Sequence, residues 1–264
     1  MMKIKSLAIY LFFSLSLLGQ DSLKVKEEKP DKWNFRIGPY FWFLGINATL
    51  EKPPVPSTLP ELEKRRFSIN KTFAEVANSL KFAFLINTEY YNKRWLGTLN
   101  VTSLILEGDA VTPKEILVNN GKYRLSLAFG EASAGYRVVS KGKFKLDLLG
   151  GAKLFYSKVD ASIKVIGERE FIASKEVTWI EPIIATRFKY NFTPRIEATA
   201  YIDYGPIRSQ SELTNQYGLY VNFLLNKWLY VAPGYRYWHY RNGSEKSVFN
   251  GEMYGFYIRI GAEF

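Results

Sequence analysis

The chain predicts an all-β fold: a transmembrane antiparallel up-and-down β-barrel, most simply of ten strands, with eight as the alternative. Three observations lead there. The final stretch alternates, with Tyr254, Phe256, Ile258, Ile260 and Ala262 on one side and Gly255, Tyr257, Arg259, Gly261 and Glu263 on the other. That is the period of a strand with one face in lipid. Segments of the same period recur along the chain, and their connections alternate between short and long. Finally, a strand edge cannot sit unpaired in hydrocarbon, so a spanning sheet must close on itself.

Taken in order, residues 1–20 have Lys3 and Lys5, an apolar run from Leu7 to Leu18, then Gly19-Gln20-Asp21. This is the pattern of a secretory signal peptide, and the run is too short for a comfortable spanning helix. Residues 21–32 are charged and aperiodic, which predicts a periplasmic lead-in. The barrel is expected over 33–264. Its strands are read near 34–48, 79–91, 95–107, 123–138, 143–159, 175–190, 194–206, 212–225, 228–241 and 252–264. Asn92-Lys93, Ser140-Lys141-Gly142, Asn191-Phe192-Thr193 and Asn226-Lys227 supply tight turns. Longer connections lie near 49–78, 108–122, 160–174, 207–211 and 242–251. Short turns at one end and long loops at the other match outer-membrane barrels, whose short turns are periplasmic. The first loop holds a proline-rich stretch, Glu51 to Pro60, then Ser68 to Asn78, where Ile69, Phe73, Val76 and Ala77 fall at helical spacing.

Composition narrows the classes. The length of 264 residues suits one barrel, and a mean hydropathy of −0.15 excludes a bundle of spanning helices. Aromatic residues make up 16%, which predicts girdles at the two membrane interfaces. There is no cysteine, hence no disulfide, thiolate metal site or lipoprotein anchor. The formal charge is +11, and +9 remains once Lys3 and Lys5 leave with the leader. Its cations are dispersed along alternating strands, so we expect no nucleic-acid partner; anionic lipopolysaccharide or an anion-favouring lumen accounts for the surplus.

Gly38-Pro39-Tyr40-Phe41-Trp42 with Gly45, Leu80-Lys81-Phe82-Ala83-Phe84, Leu146 to Lys153, and Pro233-Gly234-Tyr235-Arg236-Tyr237-Trp238 follow one another in an order that resembles a widespread group of functionally uncharacterised Gram-negative outer-membrane barrel proteins. The resemblance covers essentially the whole mature chain and implies fold and location but no activity. In such barrels an aromatic C-terminal residue, here Phe264, belongs to the signal read by the assembly machinery. It also implies outer-membrane lipid, lipopolysaccharide, periplasmic chaperones and that machinery as partners.

Alternation assigns the inward positions. Arg36, Lys81, Glu89, Asn100, Glu131, Arg137, Lys145, Asp147, Lys153, Glu181, Arg187, Glu197, Asp203, Asn222, Arg236 and Arg259 are expected to face the lumen. A charge on the lipid side costs ~2–4 kcal/mol near the midplane, so charges collect inside. A hairpin centred on Phe192 would set Arg187 against Glu197 and Glu181 against Asp203, with Lys153 or Arg236 neutralising the two carboxylates. Such a network either braces the barrel or lines a narrow conduit for a small solute. The competing reading is a rim-active enzyme of deacylase or protease type. It would need the single histidine, His239, as base, but parity sets His239 outward with Tyr235 and Tyr237. No catalytic set is assembled, and no metal or cofactor is expected. A third reading is recognition through the long loops.

Overall fold

The computed structural model describes residues 33–51, 66–109, 118–165, 170–205, 214–244 and 247–264. The stretches read as signal peptide and lead-in lie outside the described residues, as does most of the proline-rich stretch. Twelve strands and one helix follow in order: β1 Asn34–Trp42, β2 Gly45–Glu51, β3 Arg66–Lys71, α1 Phe73–Ser79, β4 Leu80–Asn92, β5 Trp95–Asp109, β6 Val118–Lys141, β7 Phe144–Val165, β8 Glu170–Thr193, β9 Ile196–Tyr204, β10 Asn215–Leu224, β11 Leu229–Ser244 and β12 Ser247–Glu263. β1 and β4 through β12 form a closed antiparallel barrel of ten strands, and β2 and β3 lie outside that ring. The alternative of eight is set aside. Closure is made by the first and last strands: Phe35 and Phe264 exchange backbone hydrogen bonds of 3.0 and 2.8 Å.

The wall is taller than the alternation predicts. β6 and β8 each run for 24 residues. At ~3.3 Å per residue and a tilt of ~40° such a strand rises ~60 Å, against an apolar band of ~25 Å. Strand pairing therefore continues into four of the five regions read as loops, and β7 and β8 are separated by 166–169 alone. Within the band the outward positions are apolar and exposed: Phe41, Leu148, Leu154, Ile180, Ile184, Leu219, Phe256 and Ile260.

The segment read as one strand over 34–48 is broken at Phe43-Leu44. β1 pairs with β12 from Arg36↔Glu263 to Trp42↔Tyr257, and β2 resumes the same register from Gly45↔Tyr254 to Glu51↔Val248. On its other side β1 pairs with β4 only from Asn34↔Tyr91 to Pro39↔Ile86. Above that point β2 pairs with β3 instead, and α1 fills the corner between β3 and β4. The helix is shorter than its sequence period indicates because 66–71 is drawn into strand pairing with β2. Thr72 then starts the helix with a capping box, its backbone N–H donating 2.8 Å to the Glu75 carboxylate. These bonds favour the ionised acid and lower the Glu75 pKa. This local support is present near neutrality and is lost as pH falls through that lowered value.

Gly255 lies where β12 passes the break. Its φ is +152°, and a Cβ there would lie 2.0 Å from the Phe43 carbonyl oxygen. A Cβ at Gly130 would meet only Leu154, at 3.8 Å. Gly255→Val should lower the temperature at which the compact, fast-migrating form is lost on semi-native gels, and Gly130→Ala should leave it unchanged.

Candidate functional site

Inward-facing side chains divide the bore into two storeys. The lower storey is ionic. Glu89 on β4, only 3% exposed, sits at its centre. It accepts hydrogen bonds from Arg187 Nη1 at 3.2 Å, Lys189 Nζ at 3.5 Å, Arg259 Nη1 at 3.3 Å and Tyr220 Oη at 3.0 Å. These donors come from β8, β12 and β10, so one carboxylate ties together walls on opposite sides of the bore. Asp147 on β7, fully buried, accepts from Arg137 Nε at 2.8 Å and from Arg187 Nη2 at 3.0 Å. Nearer the short-turn end, Arg36 donates 3.0 Å to Glu197 and 2.8 Å to Glu263, and Lys189 donates 3.2 Å to Glu197. Asn222 also donates to Glu197, at 3.1 Å, and Tyr91 to Glu263, at 2.9 Å.

Above this level the network thins. Glu131 accepts 2.7 Å from Tyr201 and 3.4 Å from Gln216. Lys153 donates 2.5 Å to Asp203 while its ammonium lies 5.4 Å from the Trp238 ring centre. Glu181 accepts 3.1 Å from Thr214. Arg236 does not meet a carboxylate in the way the alternation led us to expect. Its guanidinium is set among the rings of Tyr40, Trp42 and Tyr257 at 5.5, 5.5 and 5.7 Å and donates 3.3 Å to the Tyr40 hydroxyl.

The upper storey is apolar. Leu44, Ile46, Val76, Leu104, Leu106, Leu125, Leu127, Phe129, Phe155, Trp238, Tyr240 and Met253 form one buried cluster. Phe155 stacks on Trp179 at 3.8 Å, and Trp238 meets Phe129 edge-on at 4.7 Å. Much of the aromatic content read as interfacial girdle is therefore inside. Two cavities lie between the storeys, of about 20 and about 40 Å³. Each has room for a water molecule or a few.

Two further expectations need correction. Arg187 does not face Glu197, nor Glu181 Asp203. β8 continues through Phe192 to Thr193, the turn is made by Pro194-Arg195, and the register shifts between Asn191 and Thr193. Arg187 consequently pairs with Tyr201, Glu197 with Asn191, and Asp203 with Ala185. Proline holds φ near the value a turn requires and so takes the turn position. Lys81 is also misplaced: it falls at a register shift between Leu80 and Phe82, is exposed, and lines a cleft on the tall wall with Glu107, Lys122, Arg124 and Asp160. Lys189 and Glu263 were not singled out, although each shares the parity of a residue that was, Arg187 and Arg259.

His239 faces outward. Its Nδ1 lies 3.8 Å from Glu252 Oε1, which accepts 2.9 Å from the Tyr237 hydroxyl. Among the described residues no group of three or more His, Cys, Asp or Glu is placed to hold a metal ion.

No protein-family profile matches this chain, and no curated protein sequence does. Among solved structures, the outer membrane protease OmpT from Escherichia coli matches over 91% of this chain and 99% of its own, with a TM-score of 0.52 and 9% identity. The translocator domain of the autotransporter NalP from Neisseria meningitidis matches over 98% of this chain and 97% of its own, at 12% identity and a TM-score of 0.43. Ail, the attachment invasion locus protein of Yersinia pestis, matches over 89% and 100%, at 10% identity and a TM-score of 0.32. At these identities the likeness to OmpT bears on fold alone, that of a Gram-negative outer-membrane β-barrel.

Removing one member of a buried ion cluster leaves the others uncompensated, at a cost of ~3–5 kcal/mol. An exposed pair is worth under ~1 kcal/mol. Glu89→Gln should therefore lower the unfolding free energy in urea titrations by several kcal/mol. Glu107→Gln, which removes the exposed partner of Arg124 at 3.1 Å, should barely move it. Equal losses would show that the cross-bore cluster has no special weight.

Proposed function

We propose that the protein is an integral outer-membrane barrel with a closed lumen, which acts as a rigid scaffold and presents a tall charged wall outside the membrane. The observation that supports this reading is the occupancy of the bore. Glu89 is bonded to three cations from opposite walls, and a packed aromatic storey covers the ionic one. Conduction needs sites that bind weakly enough to release an ion. Around Glu89, Asp147 and Glu197 the fixed cations and carboxylates satisfy each other, and the apolar storey above them interrupts a continuous aqueous path. Bracing is the reading favoured over small-solute passage.

What remains available for work is the outside. Beyond the apolar band the outward faces of β5, β6 and β7 carry Glu107, Asp109, Lys122, Arg124, Lys158 and Asp160. These strands are long enough to reach well past lipid headgroups, so lipopolysaccharide sugars and phosphates are the first surfaces they meet. Phe264, 70% exposed at the barrel's closing seam, is suited to be seen by the assembly machinery before β1 and β12 pair.

Planar-bilayer recordings of the folded protein test the closed bore. The expected result is silence across a wide voltage range. A variant combining Arg187→Ala, Arg259→Ala and Trp238→Ala, which thins both storeys, should conduct. Discrete, reproducible steps from the unaltered protein would overturn the proposal.

A further inference from the structure

We propose that the short-turn end of the barrel is a docking collar for anionic phospholipid headgroups of the leaflet it borders. The four turns at this end carry Lys93 and Arg94, Lys141 and Lys143, Arg195, and Lys227, all exposed, and no carboxylate. The far end differs: there the outward charges are mixed and meet one another, Arg124 with Glu107 at 3.1 Å and Lys158 with Asp160 at 3.6 Å. The carboxylates nearest the collar, Glu197 and Glu263, turn into the bore and are held by Arg36 and Lys189. Segment 21–32 offers no net compensation, since Lys24, Lys26, Lys29 and Lys32 are matched in number by Asp21, Glu27, Glu28 and Asp31. The charged side chains of the four turns are thus of one sign.

Its depth identifies the occupant. Each of three turns has an exposed aromatic ring within three residues of its cation: Trp95 at 65%, Phe192 at 53% and Trp228 at 55%. Such rings sit at headgroup level, and cations beside them meet lipid phosphates. One of these cations is held toward the barrel's outer edge, and another is fixed to the neighbouring turn. The Arg94 guanidinium lies 5.9 Å from the centre of the outward Tyr136 ring, and Lys143 donates 3.2 Å to the Phe192 carbonyl. A soluble polyanion below the barrel would not call for that outward placement.

The test uses protein purified folded from membranes and exchanged into nanodiscs of phosphatidylcholine containing a minor fraction of phosphatidylglycerol, with retained lipid counted by native mass spectrometry. One surface cation is worth about fivefold in preference for anionic lipid, so phosphatidylglycerol should be retained at least fivefold over its bulk fraction. The combined variant Arg94→Gln, Lys143→Gln, Arg195→Gln, Lys227→Gln should lose this preference. Salt near 1 M, where screening acts within ~3 Å, should abolish it in the unaltered protein. The swap Arg94→Lys, Arg195→Lys, Lys143→Arg, Lys227→Arg should keep it, as should Lys122→Gln, Arg124→Gln at the other end. Should the neutralised variant not fold, the salt and swap arms decide alone. No preference in the unaltered protein overturns the proposal. So does a preference that persists in the folded neutralised variant, or one replaced by charge-dependent capture on isolated peptidoglycan.

Discussion

The bonds around Glu89 are what the rest of the barrel is arranged to accommodate. A ring of ten strands closes its backbone hydrogen bonds on itself but leaves a column of inward side chains that must satisfy one another. With lipid outside, every charge the spanning strands contain is pushed to that column. Arg187, Lys189 and Arg259 would be intolerable there singly. Together they are held by one carboxylate at 3.2 to 3.5 Å, with Asp147, Glu197 and Glu263 taking their remaining donors or those of Arg36 and Arg137. The same low-dielectric surroundings that make these bonds strong make each member costly to lose. The bonds that brace the wall are thus the same ones that fill the lower bore.

This partition redistributes the basic surplus of the chain. Inside, cations and carboxylates meet in pairs and clusters, so the bore contributes little to the formal +11. The excess has to sit on the rims and the tall wall. There it is divided again, with mixed charge above the apolar band and one sign below it. A composition total cannot distinguish these arrangements, because the same lysines could lie in the bore or on a turn; parity and pairing decide.

The lipid-facing half of the fold was legible because hydrocarbon imposes a period of two on outward side chains, and Phe256, Ile258 and Ile260 obey it. The ten strands and the alternating turns followed from that. Where lipid ends, so does the signal. β6 and β8 continue into polar surroundings in which Lys122 or Ser174 can face outward without penalty, so these stretches read as loops. Most inward charges were found by parity alone, whereas their partners were not: moving the turn from Phe192 to Pro194-Arg195 exchanged the neighbours of Arg187 and Glu197. Lys81 failed for a similar local reason, a bulge that breaks the count. The apolar upper storey was missed although Phe155 shares the parity of Lys153 and Trp238 that of Arg236, because aromatic residues were assigned to the girdles by type and only polar ones were placed by parity.

The break at Phe43-Leu44 ties these threads together. Above Pro39↔Ile86 the ladder between β1 and β4 ends, and a wall without that ladder should open. The interior supplies substitutes. Tyr40, on the β1 side, is hydrogen-bonded to Asn100 at 2.9 Å and to Thr102 at 2.5 Å, both on β5, so it reaches across β4. Val76 of α1 joins Leu44 and Ile46 on one side of the gap to Leu104 and Leu106 on the other within a single buried cluster. On the outer side Phe73 of α1 meets Phe43 edge-on at 5.0 Å. The capping box at Thr72 is what lets the chain leave β3 and begin a helix at this corner. Side-chain packing across the bore therefore does the work of missing backbone bonds, which is possible only because the bore is filled. An open channel of the same strand order would have nothing with which to hold this seam shut.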